Sequence, residues 1–135
     1  MPNRVFVDTH YVIALINRRD KHHKLAQELA SRYEGRPLLT TEAILLEIGD
    51  ALARQFKQQA IITIDQFLDS DDTEIVSLTP ALRQKAFELY KAYDDKSWGM
   101  TDCVSFVVMR EEDVTEALTS DQHFVQAGFT ALMNV

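Results

Sequence analysis

The chain has 135 residues, 46% hydrophobic content and a net charge of −7, which suits one globular domain over residues 1–135 with enough apolar material for a core. No apolar run reaches the ~18 residues of a membrane span, and a single cysteine excludes an internal disulfide and fits a reducing cytoplasm. The acidic balance argues against gripping nucleic acid by bulk charge alone, yet leaves room for a cation over a local acidic cluster.

Met1-Pro2-Asn3-Arg4 runs directly into a strand, so no signal peptide is expected. That first strand, Arg4-Val5-Phe6-Val7-Asp8, is continuously apolar in its middle and stops at an acid. Such a run is typical of a buried parallel strand. Thr9 to Asn17 reads as a helix, and Asp20 is a candidate cap for the next, whose stripe is Leu25, Leu29 and Tyr33 with Ala26 and Ala30. Gly35-Arg36-Pro37 turns the chain into a strand at Leu38-Leu39-Thr40. A helix from Thr41 to Lys57 follows, with Ile44, Ile48, Leu52 and Phe56 on one face and Glu47 at the edge of that stripe, facing the body of the protein.

Ile61 to Leu68 is a second helical piece, ahead of the acidic loop Asp69-Ser70-Asp71-Asp72. That loop lacks the turning glycine of a calcium loop and is read as solvated. Glu74 to Leu78 is a third strand, then Thr79-Pro80 places a cap and a first-turn proline in their favoured order. The helix beyond carries Leu82, Ala86, Leu89, Tyr90 and Tyr93. Next comes Ser97-Trp98-Gly99-Met100-Thr101-Asp102, with Thr101 the expected N-cap, and the apolar helix Cys103 to Met109. Val114 to Thr119 is a fourth strand, Gln122 to Ala127 a short helix stopped by Gly128, and Thr130 to Met133 a last edge strand. Trp98 and His123 are expected to pack rather than to touch substrate, and Cys103 to be a small buried hydrophobe.

Strands alternating with helices predict a three-layer α/β/α sandwich with a mainly parallel central sheet. Right-handed crossovers then bring the strand-to-helix junctions to one edge of the sheet, where ligands of open α/β folds bind. Asp8 ends the first strand and Asp121 follows the fourth, while Asp102 opens the apolar helix and Glu47 can reach across. Four carboxylates in one cleft repel one another unless a cation joins them. Oxygen ligands suit Mg²⁺ or Mn²⁺ rather than zinc. Such a site can activate water and stabilise both oxygens of a phosphodiester displacement. Thr9, His10, Arg18 and Ser120 are candidate substrate contacts, and Arg19, Lys21, Lys24, Arg54 and Lys57 candidate phosphate contacts.

Val7-Asp8-Thr9, Glu47, the run Met100 to Met109 and Leu118-Thr119-Ser120-Asp121-Gln122-His123-Phe124 with Gly128 together resemble a PIN domain, and are most similar to the VapC type of toxin ribonuclease. The resemblance covers nearly the whole chain in order. It implies a Mg²⁺- or Mn²⁺-dependent endoribonuclease whose acidic quartet maps onto Asp8, Glu47, Asp102 and Asp121. It also implies a homodimer and a small antitoxin that masks the site. The chain departs from the family at His10-Tyr11, where a small hydroxyl residue often follows the first Asp-Thr or Asp-Ser. Two other classes stand beside this one: a PIN-like binding module acting through a protein partner, and a phosphoacceptor receiver domain. The receiver pattern of an acidic pair after the first strand and a lysine after the last is absent from the sequence.

Overall fold

A computed structural model describes residues 3–134; Met1 and Pro2, where the signal-peptide expectation begins, lie outside the described residues. The strands are β1 (Val5–Val7), β2 (Leu38–Thr41), β3 (Thr73–Val76), β4 (Glu116–Leu118) and β5 (Thr130–Ala131). They form one sheet in the order β3-β2-β1-β4-β5 with every pairing parallel. The helices are α1 (Thr9–Ile16), α2 (His23–Arg32), α3 (Glu42–Leu52), α4 (Lys57–Asp69), α5 (Pro80–Ala92), α6 (Met100–Glu111) and α7 (Gln122–Gln126). The expected α/β/α architecture is the one observed.

β1 lies between β2 and β4, and its Val5, Phe6 and Val7 are fully buried, which explains its unbroken apolar run. The chain builds outward from β1 through β2 to β3, then crosses back to lay β4 on the other side of β1. The carboxyl ends of β1 and β4 therefore flank the point where the strand order reverses, the place where open α/β sheets leave a crevice. Asp8 and Asp121 follow those two strands.

Several boundaries differ from expectation for identifiable reasons. The helix expected over Thr41 to Lys57 ends at Leu52, and the piece expected to start at Ile61 begins at Lys57. Ala53-Arg54-Gln55 holds no helix breaker, so the break comes from tertiary packing: α4 folds back on α3, with Phe56 at its cap (φ −132°) partly buried against the core. β3 spans Thr73–Val76 rather than Glu74–Leu78 because its partner β2 ends at Thr41, opposite Val76. The Leu78 N–H instead donates to the Glu42 carboxylate. Regular pairing of β4 shrinks to Glu116–Leu118 and that of β5 to Thr130–Ala131, although Leu132 and Met133 still donate to the carbonyls of Ala117 and Thr119.

Asp20 caps no helix directly. Its carboxylate accepts from the His22 N–H, and α2 starts after His22. On α5, Leu82 and Ala86 are buried, while Tyr90 is 44% exposed. Gly128 stops α7 at φ +97°, a left-handed conformation glycine adopts without strain.

The core is continuous with the mouth of the site. Phe106, one turn beyond Asp102 in α6, meets Trp98 edge-on at 5.0 Å and Phe124 of α7 edge-on at 5.0 Å. Phe124 in turn lies 6.1 Å from Phe6 of β1. This aromatic chain ties together the three elements that carry Asp8, Asp102 and Asp121.

Candidate metal centre

Asp8 is the single residue between β1 and α1, is 5% exposed, and caps α1 by position without a side-chain capping bond. Its Oδ2 accepts a 2.7 Å hydrogen bond from the Thr119 hydroxyl, and His10 Nδ1 stands 3.9 Å away. Burial pushes the Asp8 carboxyl up to about 6; the Thr119 hydrogen bond and the His10 charge oppose that rise, and the charge of Glu47 adds to it.

Asp102 lies in the first turn of α6, where its Oδ2 accepts from the Gly99 N–H at 3.0 Å. The cap is therefore Gly99 and not Thr101. A glycine offers no side chain in return, so the carboxylate of Asp102 itself satisfies the helix terminus. Asp121 caps α7, accepting from the His123 N–H at 2.9 Å, while its own N–H donates to Thr119 Oγ1. Thr119 thus holds Asp8 through its hydroxyl hydrogen and the backbone of Asp121 through its oxygen.

Glu47 differs from expectation. The residue is exposed rather than turned to the body of the protein, and only its carboxylate reaches back, accepting 2.6 Å from the hydroxyl of buried Thr9. Among the described residues no ion pair joins it to Arg54. Thr9 is consequently a buried support for Glu47, not an open substrate contact.

The histidine expected to pack against the sheet edge lies among the acids. His123 Nδ1 is 2.9 Å from Asp102 Oδ2 and 3.4 Å from Asp121 Oδ1, and Ser97 Oγ is 3.2 Å from its Nε2. One ligand atom from each of Asp102, Asp121 and His123 falls within a 4.8 Å set, close enough to share one metal ion. The sequence signal was available in the spacing Asp121-x-His123, which puts both side chains at the first turn of a short helix.

His10 and Ser120 line a cleft of about 340 Å³ with Lys21 and His22, beside the acids. Arg18 and Arg19 belong to a different cleft, lined by Gln55, Phe56 and Gln59. Trp98 is buried and donates to the Gln126 side chain, so it offers no stacking face. Cys103 is fully buried and its thiol is raised to about 11 by burial and the nearby Asp102 charge, which leaves it inert as a nucleophile. Asp69, Asp71 and Asp72 are exposed, as a solvated loop would be.

The PIN domain model matches residues 5–130. The chain belongs to the PIN domain family. It is 28% identical over 127 residues to the 23S rRNA-specific endonuclease VapC20 of Mycobacterium tuberculosis, covering 93% of this chain and 95% of that protein. The crystal structure of that VapC20, a sarcin–ricin loop cleaving toxin, superposes with a TM-score of 0.84 over 93% of this chain and 96% of the other. VapBC2 from Rickettsia felis, bound to a DNA fragment from its promoter, shares the fold with a TM-score of 0.65 at 17% identity, over 95% and 96% of the two chains. Asp8 and Asp121 follow the two strands at the switch point, where open α/β sheets bind ligands, and no described helix is long and apolar enough to cross a membrane.

Proposed function

We propose that this single-domain PIN protein is a Mg²⁺- or Mn²⁺-dependent endoribonuclease that hydrolyses RNA phosphodiester bonds. The observation that carries the reading is the convergence of Asp102 and Asp121 within metal-sharing distance at the sheet edge, in a chain similar over 93% of its length to an rRNA endonuclease. Asp8, Glu47, Asp102 and Asp121 are its metal-holding and catalytic acids. A divalent cation there supplies Lewis-acid polarisation of the phosphodiester and a more acidic bound water.

The chain's own residues prepare that chemistry. Thr119 fixes the rotamer of Asp8 and the backbone of Asp121 together. Thr9 holds Glu47 over the start of α1. The raised acid of Asp8 is the electrostatic signature of a buried carboxylate that a cation would relieve. His10 and Ser120, with Lys21, line the open side where a phosphate backbone can lie. No side chain is needed as nucleophile.

The similarity to a toxin favours action in the cytoplasm as the toxin of a type II pair, as a homodimer masked by a small antitoxin. An acidic cleft is a natural socket for an arginine-bearing antitoxin segment. The test is incubation with ribosomes and total RNA in Mg²⁺, Mn²⁺ or chelator, followed by end mapping. Discrete metal-dependent ends, with the 23S rRNA examined first, are expected. Intact RNA under all conditions would overturn the reading and favour a binding module.

A further inference from the structure

Resting on the metal-dependent reading above, we propose that His123 Nδ1 is a protein ligand of the ion beside Asp102 and Asp121, and that this nitrogen biases the site towards Mn²⁺ over Mg²⁺. The argument begins with spacing. Adjacent ligand atoms of a six-coordinate ion with bonds of about 2.1 Å stand about 3.0 Å apart. Nδ1 of His123 lies 2.9 Å from Asp102 Oδ2 and 3.4 Å from Asp121 Oδ1, so the nitrogen stands at about neighbouring-ligand spacing from both carboxylates, within a set whose ligand atoms all fall within 4.8 Å.

The second ring nitrogen supplies an independent observation. Nε2 faces Ser97 Oγ at 3.2 Å. With Nε2–H donating to that hydroxyl, the lone pair of Nδ1 faces two carboxylate oxygens and a cation would join the three; without the ion, the other tautomer lets Nδ1–H donate to Asp102 Oδ2 at 2.9 Å. Histidines that bind metals characteristically donate their other N–H to an oxygen acceptor in this way. The ring is also held in place: its backbone N–H is capped by Asp121, and the next residue, Phe124, is anchored between Phe6 and Phe106. The side chains of Asp102, Asp121 and His123 keep 20%, 19% and 25% exposure, so an ion can enter from solvent.

The chemical consequence is selectivity. Mg²⁺ favours an all-oxygen shell and gives up water reluctantly, whereas imidazole suits transition ions. Asp-Asp-His is therefore a better set for Mn²⁺ than a carboxylate quartet alone.

Pulsed electron paramagnetic resonance of Mn²⁺ bound to the full chain reads the bond directly. The expected result is ¹⁴N modulation in wild type, retained in His10→Gln and lost in His123→Gln. Isothermal titration should show Mn²⁺ affinity falling about tenfold or more in His123→Gln, with a smaller loss for Mg²⁺. Bound Mn²⁺ without nitrogen modulation in wild type would overturn the histidine ligand while leaving the nuclease reading intact. Failure of wild type to bind either ion would overturn both.

Discussion

Thr119 donates its hydroxyl hydrogen to Asp8 at 2.7 Å while accepting the backbone N–H of Asp121 on the same oxygen. One fully buried threonine in the chain after β4 thus sets the positions of two acids contributed by neighbouring parallel strands. Thr119→Val keeps the shape and removes both bonds. Hydrogen bonds to charged groups contribute about 1.5–3 kcal/mol, so urea unfolding of the metal-free protein at pH 7.5 should show a loss of that order. The loss should shrink at pH 4.5, where Asp8 is protonated and has less charge to stabilise.

Asp8 also makes the metal-free protein sensitive to pH. Its carboxyl is raised by burial from the ordinary value of 3.8 to about 6, so the native state binds more protons than the unfolded chain between those values. The sign follows from linkage: this group's contribution is fully present below the unfolded value and is lost as pH rises through about 6. The loss by pH 7 is on the order of 3 kcal/mol. Asp8→Asn should therefore raise the melting temperature in chelator at pH 7.5 and bring little gain at pH 4. Saturating Mg²⁺ should stabilise wild type and leave the variant unchanged. Equal melting of wild type with metal and with chelator would argue against a functional acidic site.

The aromatic chain offers a separate test of how the core positions the site. Phe106 is fully buried between Trp98 and Phe124. Phe106→Ala should cost about 3–5 kcal/mol and should reduce RNA cleavage more than an equally destabilising change far from α7. Phe106→Leu should recover most of both. Thermal melts and cleavage rates of the two variants side by side make the comparison.

Much of this arrangement is legible in the amino-acid sequence. The unbroken apolar run of β1, the alternation of strands and helices, and the acids at strand ends are local patterns whose cause is burial and chain handedness. Asp8 and Asp121 belong to that pattern, while Asp102 is legible differently, as a charge in the first turn of an otherwise apolar helix. The α3–α4 break was not readable, because Ala53-Arg54-Gln55 is as helical as its neighbours and only the packing of Phe56 and α4 on α3 turns the chain. The support of Glu47 by Thr9 was equally hidden, since the two residues meet only when α3 lies against α1. The place of His123 among the acids is hidden for a similar reason. Its ring position depends on Asp121 capping a helix of five residues, a detail of geometry rather than of pattern.

Thr9 gives a prediction specific to that hidden contact. Thr9→Val retains the buried volume but releases Glu47, and loss of such a support lowers metal affinity or activity about 10–100-fold. Thr9→Ser keeps the hydroxyl and should remain near wild type. Divalent-ion titrations on the folded variants, paired with cleavage rates, would show whether Glu47 acts through its Thr9 bond.

The most direct measurement is cleavage of RNA by wild type, Asp8→Asn and Asp102→Asn with Mg²⁺, with Mn²⁺ and with chelator, after circular dichroism has shown all three to be folded. Metal-dependent cleavage by wild type, abolished by chelator and reduced to background in both variants, is the expected result. Undiminished cleavage by the two folded variants would contradict the assignment of the acidic cluster as the catalytic centre.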